Sequence, residues 1–274
     1  SRAIYYGRRR LLFYDELPKP WRDNPHVTSG YRYLNSMYQC MRSIVQIHNE
    51  TLNIWTHLLP FFIFFAILSQ GLMAELMVYG ADRLFFVLFL SAACMCLLCS
   101  TIYHTFMCHC RKSILRSCVT VDYIGISLLI CASVGSVIYY GFYGRTLART
   151  IYLSLVAFVA AIGVVLPWYR WFDRSENRFA RVAIFILMAC SGAIPAAHLT
   201  LIHGIIPMLY YTYPLLISLG SYLVGVFIYA NQYPERIWPG KFDVIGHSHQ
   251  LWHLAVVGGI YFHYWATWHF YEHR

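Results

Sequence analysis

The chain has 274 residues, of which 59% are hydrophobic and only 12% charged, too few polar side chains to coat a water-soluble globule of this size. The net charge of +9 would raise the question of nucleic acid, but the basic residues fall where membrane insertion places them, so no nucleic-acid partner is expected. The composition is that of an all-α integral membrane protein.

Residues 1–53 contain no apolar stretch and are expected to form a cytoplasmic strap followed by a short interfacial helix. The strap includes "LPKPWRDNPHVTSGYR", rich in proline and turn formers. In "SMYQCMRSIVQIHNE", Met37, Cys40, Met41, Ile44 and Val45 recur at helical spacing opposite Gln39, Arg42, Ser43 and Gln46, the pattern of a helix lying in the plane of a bilayer surface. Asn49 and Thr51 match an N-glycosylation acceptor, but on the topology below they face the cytosol, and Asn49 is expected to cap the first span. No secretory signal is expected, and the first span should serve as its own insertion signal.

Residues 54–274 are expected to form one seven-helix transmembrane domain. Its spans are placed at about 54–77, 84–107, 119–141, 148–168, 181–202, 207–230 and 248–270, each near the roughly 20 residues that cross a hydrocarbon core. Trp168, Tyr169, Trp171, Trp265 and Trp268 mark ends of apolar runs, as interfacial belts do. Of 21 Lys and Arg, only Arg83, Arg145, Arg149 and Arg274 fall on the side away from the N-terminus, which puts the N-terminus in the cytoplasm and the C-terminus outside. All nine cysteines fall within spans or cytoplasmic segments, where structural disulfides are not expected. "CHC" at 108–110 is read as packed or acylated thiols rather than a second metal site.

Ionisable groups inside the spans are costly unless paired or bound to a metal. The second span carries His104 near its inner end, the third carries Asp122 near its start, and the seventh opens with "HSHQLWH", which contains His249 and His253. These four residues come from three spans but lie at similar depth. His249 and His253 are four apart, so both imidazoles project from one helical face, and Ser100 stands one turn from His104. Three neutral imidazoles, a water and a nearby carboxylate compose an open, catalytic type of zinc shell, and the nitrogen-rich set favours one zinc ion over copper or iron. The competing reading is hydrogen bonding between helices, which is the expectation for His198, His203, His263 and His269. His247 is expected outside the ligand set.

Five blocks, "SIVQIHNETLNIWTHLLP", "STIYH", "VDYIGIS", "YPERIWPGKFD" and "HSHQLWH", resemble in order the signature segments of the progestin and adipoQ receptor family, closest to its adiponectin-receptor branch. The resemblance covers essentially the whole chain. It implies seven spans with a cytoplasmic N-terminus, zinc on His104, His249 and His253, Asp122 contacting the zinc-bound water, and Ser100 in support. The family is similar to alkaline ceramidases, which implies cleavage of a lipid amide, ceramide or another, with release of a free fatty acid. Asp122 and Ser100 are then the candidate catalytic residues. The alternative is a signalling receptor or scaffold in which zinc is purely structural and an outer protein or hormone ligand shifts helix packing. The expected location is the plasma membrane, with the Golgi or another endomembrane as the other possibility; the sequence gives no oligomeric state.

Overall fold

The computed structural model describes residues 2–73 and 80–274. Among the described residues the regular secondary structure is helical, with two isolated β-bridges, Leu12 to Tyr31 and Leu34 to His109. Short helices α1 (Arg2–Gly7) and α2 (Met37–Arg42) precede α3 (Thr51–Met73), α4 (Gly80–Phe106), α5 (Lys112–Gly141) and α6 (Thr146–Val165). They are followed by α7 (Arg178–Cys190), α8 (Ala193–His203), α9 (Ile205–Asn231) and α10 (Ser248–Glu272). The expected end of the first span, 74–77, lies outside the described residues.

Among the described residues, six segments are long and apolar enough to cross a bilayer: Thr51–Gly71, Gly80–Phe106, Lys112–Gly141, Thr146–Trp168, Arg178–His203 and Ile205–Asn231. The fifth is two helices in series. Pro195 has no N–H for the carbonyl one turn back, at Ser191, and the helix breaks at Ser191–Gly192. The seventh expected span forms helix α10, whose 25 residues reach about 37 Å at 1.5 Å per residue. Its histidines and Gln250 keep it less apolar than the other six.

The chain packs as two compact units. The first comprises Ser1–Pro60, Leu97–Asp122 and Tyr222–Val257; the second comprises Phe61–Cys96, Tyr123–Ser221 and Gly258–Arg274. Every candidate site residue falls in the first.

The second unit has two apolar clusters, one around Ile138, Phe142, Val156 and Leu199 and one around Phe86, Tyr140 and Phe270. Large apolar side chains such as Leu147, Phe158 and Leu201 stand exposed on it, as lipid-facing residues do. Here His263 bonds Ser136 at 3.0 Å and His198 bonds Tyr152 at 3.0 Å, the expected hydrogen bonding between helices. His203 is exposed, and His269 Nε2 is buried without a partner.

In the first unit the strap is held by Leu12, Leu17 and Tyr33, which pack together with Trp21. Asp243 accepts bonds from Thr28 N–H at 2.8 Å, Thr28 Oγ1 at 3.0 Å and Ser29 Oγ at 2.6 Å. Along α2 and the turn that follows it, Met37, Met41 and Val45 of the expected apolar stripe are exposed, the face such a helix would turn to lipid, while Cys40 and Ser43 are buried. Arg32, a buried guanidinium that donates to Ser43 Oγ at 2.5 Å, draws the polar Ser43 inward. Asn49 makes no side-chain cap; its Oδ1 is buried without a partner.

His48, just before α3, is fully buried as a neutral ring. Its Nε2–H donates to Ser43 O at 2.9 Å, and its Nδ1 accepts from Glu50 N–H at 3.1 Å. Burial, reinforced by the positive Arg32, pushes its pKa from 6.5 down to about 4. Protonation would eject the Glu50 N–H and set a second cation near Arg32. A depressed histidine contributes stability that is complete above the unfolded pKa and is lost as pH falls through the folded one, here from about 6.5 to 4. Thermal unfolding in detergent at pH 7 and pH 4.5 should therefore show a smaller acid-induced loss for His48→Gln than for wild type. Equal losses would exclude the residue as a source of acid sensitivity.

Candidate metal centre

Three helices and one helix start build the site. His104 sits near the C-terminal end of α4, and His249 and His253 lie one turn apart in the first two turns of α10. Helix α10 can approach α9 closely because of Gly225. A Cβ there would come within 2.5 Å of Ala255 Cβ and 2.8 Å of the Trp252 ring. The Trp252 side chain that meets α9 therefore leaves the other face of α10 to its two imidazoles.

The three rings form a nearly equilateral triangle. Their centroids are 4.9 Å apart for His104 and His249, 4.8 Å for His104 and His253, and 4.8 Å for His249 and His253. One nitrogen of each lies within 4.8 Å of the others, and among the described residues this is the group of three or more His, Cys, Asp or Glu side chains that could hold a metal ion. His104 and His253 are each 2% exposed.

The start of α3 orients two of these rings. Glu50, immediately before the helix, accepts from His104 Nδ1–H at 2.7 Å. His253 Nδ1–H donates to Asn53 O at 3.0 Å and lies 3.1 Å from Thr56 Oγ1, whose own proton is committed to Leu52 O at 2.6 Å. Both rings therefore carry their proton on Nδ1 and keep the Nε2 lone pair free, the arrangement by which an outer carboxylate or carbonyl prepares a histidine for a metal. Nε2 of His249 faces Nε2 of His104 at 3.2 Å. Two nitrogens on a tetrahedral ion with bonds of about 2.0–2.1 Å are about 3.3 Å apart, so this pair is spaced as zinc would require. The donor chemistry of the three rings and the spacing of this pair fit a metal ion of that kind.

Glu50 itself is largely buried, with 13% of its side chain exposed. Burial opposes its charge, but the hydrogen bonds it accepts from His104 Nδ1–H and from Asn53 Nδ2–H, each at 2.7 Å, hold the carboxyl well below the usual carboxylate range. Arg32 completes the frame by donating to the His104 carbonyl at 2.7 Å, which ties the strap to the end of α4. The His57 ring lies flat on His253, with centroids 3.7 Å apart and an angle of 8°.

The structure thus brings together His104, His249 and His253. Asp122 is 9% exposed and within electrostatic reach of His104, and Ser100 is buried one turn from it on α4; neither belongs to the converging ligand set. His247 also stays outside it, with Nε2 3.2 Å from Asn49 O. In "CHC", Cys108 packs its sulfur 3.6 Å from Cys40. Sequence reasoning missed Glu50, Asn53 and His57. Their signal was a polar stripe at spacings of three and four residues leading into an apolar span.

A haemolysin-III-related family profile matches residues 45–264. An uncharacterized protein of Schizosaccharomyces pombe is 40% identical over 96% of this chain and 60% of its own length. The adiponectin receptor protein of Drosophila melanogaster is 34% identical over 96% of this chain and 60% of its own. Progestin and adipoQ receptor family member 3 of Homo sapiens is 32% identical, over 97% and 87% respectively. The chain therefore spans about three fifths of the length of the first two. With six segments among the described residues long and apolar enough to cross a bilayer, and the profile matching most of the chain, this is a multi-pass membrane protein that belongs to the haemolysin-III-related family of progestin and adipoQ receptors.

Proposed function

We propose that this protein is a seven-span zinc-dependent lipid amide hydrolase of the receptor type, cleaving ceramide or a related amide to a long-chain amine and a free fatty acid. In this reading α10 is the seventh span, the N-terminus is cytoplasmic, the C-terminus is outside, and the protein resides in the plasma membrane or the Golgi. The observation that carries it is the ligand set. Three histidines converge, two with Nδ1 committed to outer partners, and three nitrogen ligands are the complement of catalytic zinc sites, whereas structural sites close with four protein ligands.

His104, His249 and His253 would hold the ion, which when bound supplies Lewis acidity to a carbonyl and lowers the pKa of a water ligand. Asp122, the buried carboxylate in reach of His104, takes the proton from the attacking water and delivers it to the leaving nitrogen as the C–N bond breaks. Ser100 offers its hydroxyl to the developing oxyanion. The fatty acid leaves with the oxygen that water brought.

The test is ceramide turnover by purified protein, metal-loaded and chelated, for wild type and Asp122→Ala. Turnover should require metal and fall at least about 100-fold in the variant, the scale of a lost general base, with metal content unchanged. Turnover that survives chelation would refute the reading; equal rates would remove Asp122 from it.

A further inference from the structure

His57 stands apart from the groups assigned so far. It is on α3, 3% exposed, and neither ring nitrogen makes a hydrogen bond of good geometry, the His253 backbone being the polar group it approaches. Leaving a buried donor or acceptor unpaired costs about 1–3 kcal/mol, so two on one ring are a large expense if the ring only packs. Packing does not call for them. The role that is visible, a flat ring covering His253 at 3.7 Å, would be filled equally by phenylalanine. Nor is His57 one of the converging ligand nitrogens. His253 is already fixed edgewise by Asn53 O, so it does not need a polar ring to set its orientation. What remains is a bound molecule.

We propose that His57 is a binding residue for the polar head of a molecule seated at the histidine triad. A neutral imidazole donates one hydrogen bond and accepts another, which complements a head group that carries both a carbonyl and an N–H, as an amide or a hydroxamate does. The choice of a lipid amide rests on the function proposed above; the position of the contact does not. In this arrangement the start of α3 has two tasks. Glu50 and Asn53 face the outer nitrogens of the ligands, and His57, one turn beyond Asn53, serves the bound molecule.

The test uses the full chain in detergent, loaded with cobalt(II), whose visible bands report changes in the ligand sphere. Octanohydroxamate and long-chain ceramide are the probes, and elemental analysis gives the metal content. His57→Phe keeps a ring on His253 and removes both nitrogens. It should retain wild-type metal content and an unfolding temperature at least that of wild type, while octanohydroxamate binds about tenfold or more weakly. Binding within twofold of wild type would reduce His57 to a packing ring, and loss of the metal would make it a support of the metal site; either overturns the proposal. Should the phenyl ring not be accommodated, His57→Asn and His57→Leu decide the question as a pair. Asn keeps a donor and an acceptor and should bind the probe clearly better than Leu; equal affinities overturn the proposal. Wild-type protein that takes octanohydroxamate but neither binds nor cleaves ceramide would remove the lipid-amide reading and leave the His57 comparison intact.

Discussion

His104→Ala is expected to yield a protein that folds but holds no stoichiometric metal, and Glu50→Gln one that holds it about 10–100-fold more weakly. The two differ because they act at different distances from the ion. His104 presents a ligand nitrogen, and two imidazoles on α10 are left without their partner from α4 when it is gone. Glu50 acts through His104. Its carboxylate accepts the Nδ1 proton at 2.7 Å and makes Nε2 a stronger donor; glutamine still accepts that proton but brings no charge. Elemental analysis and chelator competition on the purified proteins measure both effects. Thermal unfolding separates loss of metal from loss of fold: added metal should raise the unfolding temperature of chelated wild type and leave that of His104→Ala unmoved, while His104→Ala should melt below chelated wild type because Glu50 loses its Nδ1–H donor. Full wild-type metal content in His104→Ala would show that these imidazoles are not a metal site.

The triad was legible because its signals are local or coarse. Apolar runs of bilayer length set the depth of each helix, and the four-residue step from His249 to His253 puts both rings on one face. Depth then brought His104 to the same level. The supporting groups were hidden for a different reason. Glu50 reads as a helix-start residue, and its partner His104 is 54 positions away. Only packing shows that the carboxylate meets Nδ1. Arg32 is similar: its charge counted toward topology, yet it is buried against the His104 carbonyl and Ser43. The inward turn of Ser43, just past the end of α2, followed from that contact, and no periodicity in the stretch could have announced it. Asn49 went the other way. Its position suggested a cap, but the backbone entering α3 is held instead by Thr51 Oγ1, which accepts from His48 N–H and donates to Gln46 O.

The largest effect away from the imidazoles is expected at Glu235. This carboxylate has no exposed surface and collects three donors: Ser248 N–H at 2.7 Å, the Ser248 hydroxyl, and Asn24 Nδ2–H at 3.0 Å. Ser248 is the first residue of α10, so Glu235 supplies negative charge and an acceptor where a helix start has orphan N–H groups and a positive dipole end. It also binds the strap through Asn24. Glu235→Ala leaves the Ser248 N–H and hydroxyl unpaired in a buried place and releases the partly buried Asn24, at a cost of about 1–3 kcal/mol for each buried donor. The damage reaches the metal because His249 follows Ser248 directly, and loosening the first turn of α10 spreads the Nε2 pair that stands at 3.2 Å. Metal affinity should therefore fall together with unfolding temperature. Asp243→Ala provides the contrast. Its partners, Thr28 and Ser29, belong to the strap alone, so it should lower the unfolding temperature and leave metal affinity near wild type. Parallel losses of affinity in both variants would mean that the site merely follows global stability. Unchanged affinity in Glu235→Ala would mean that the first turn of α10 is positioned by something else.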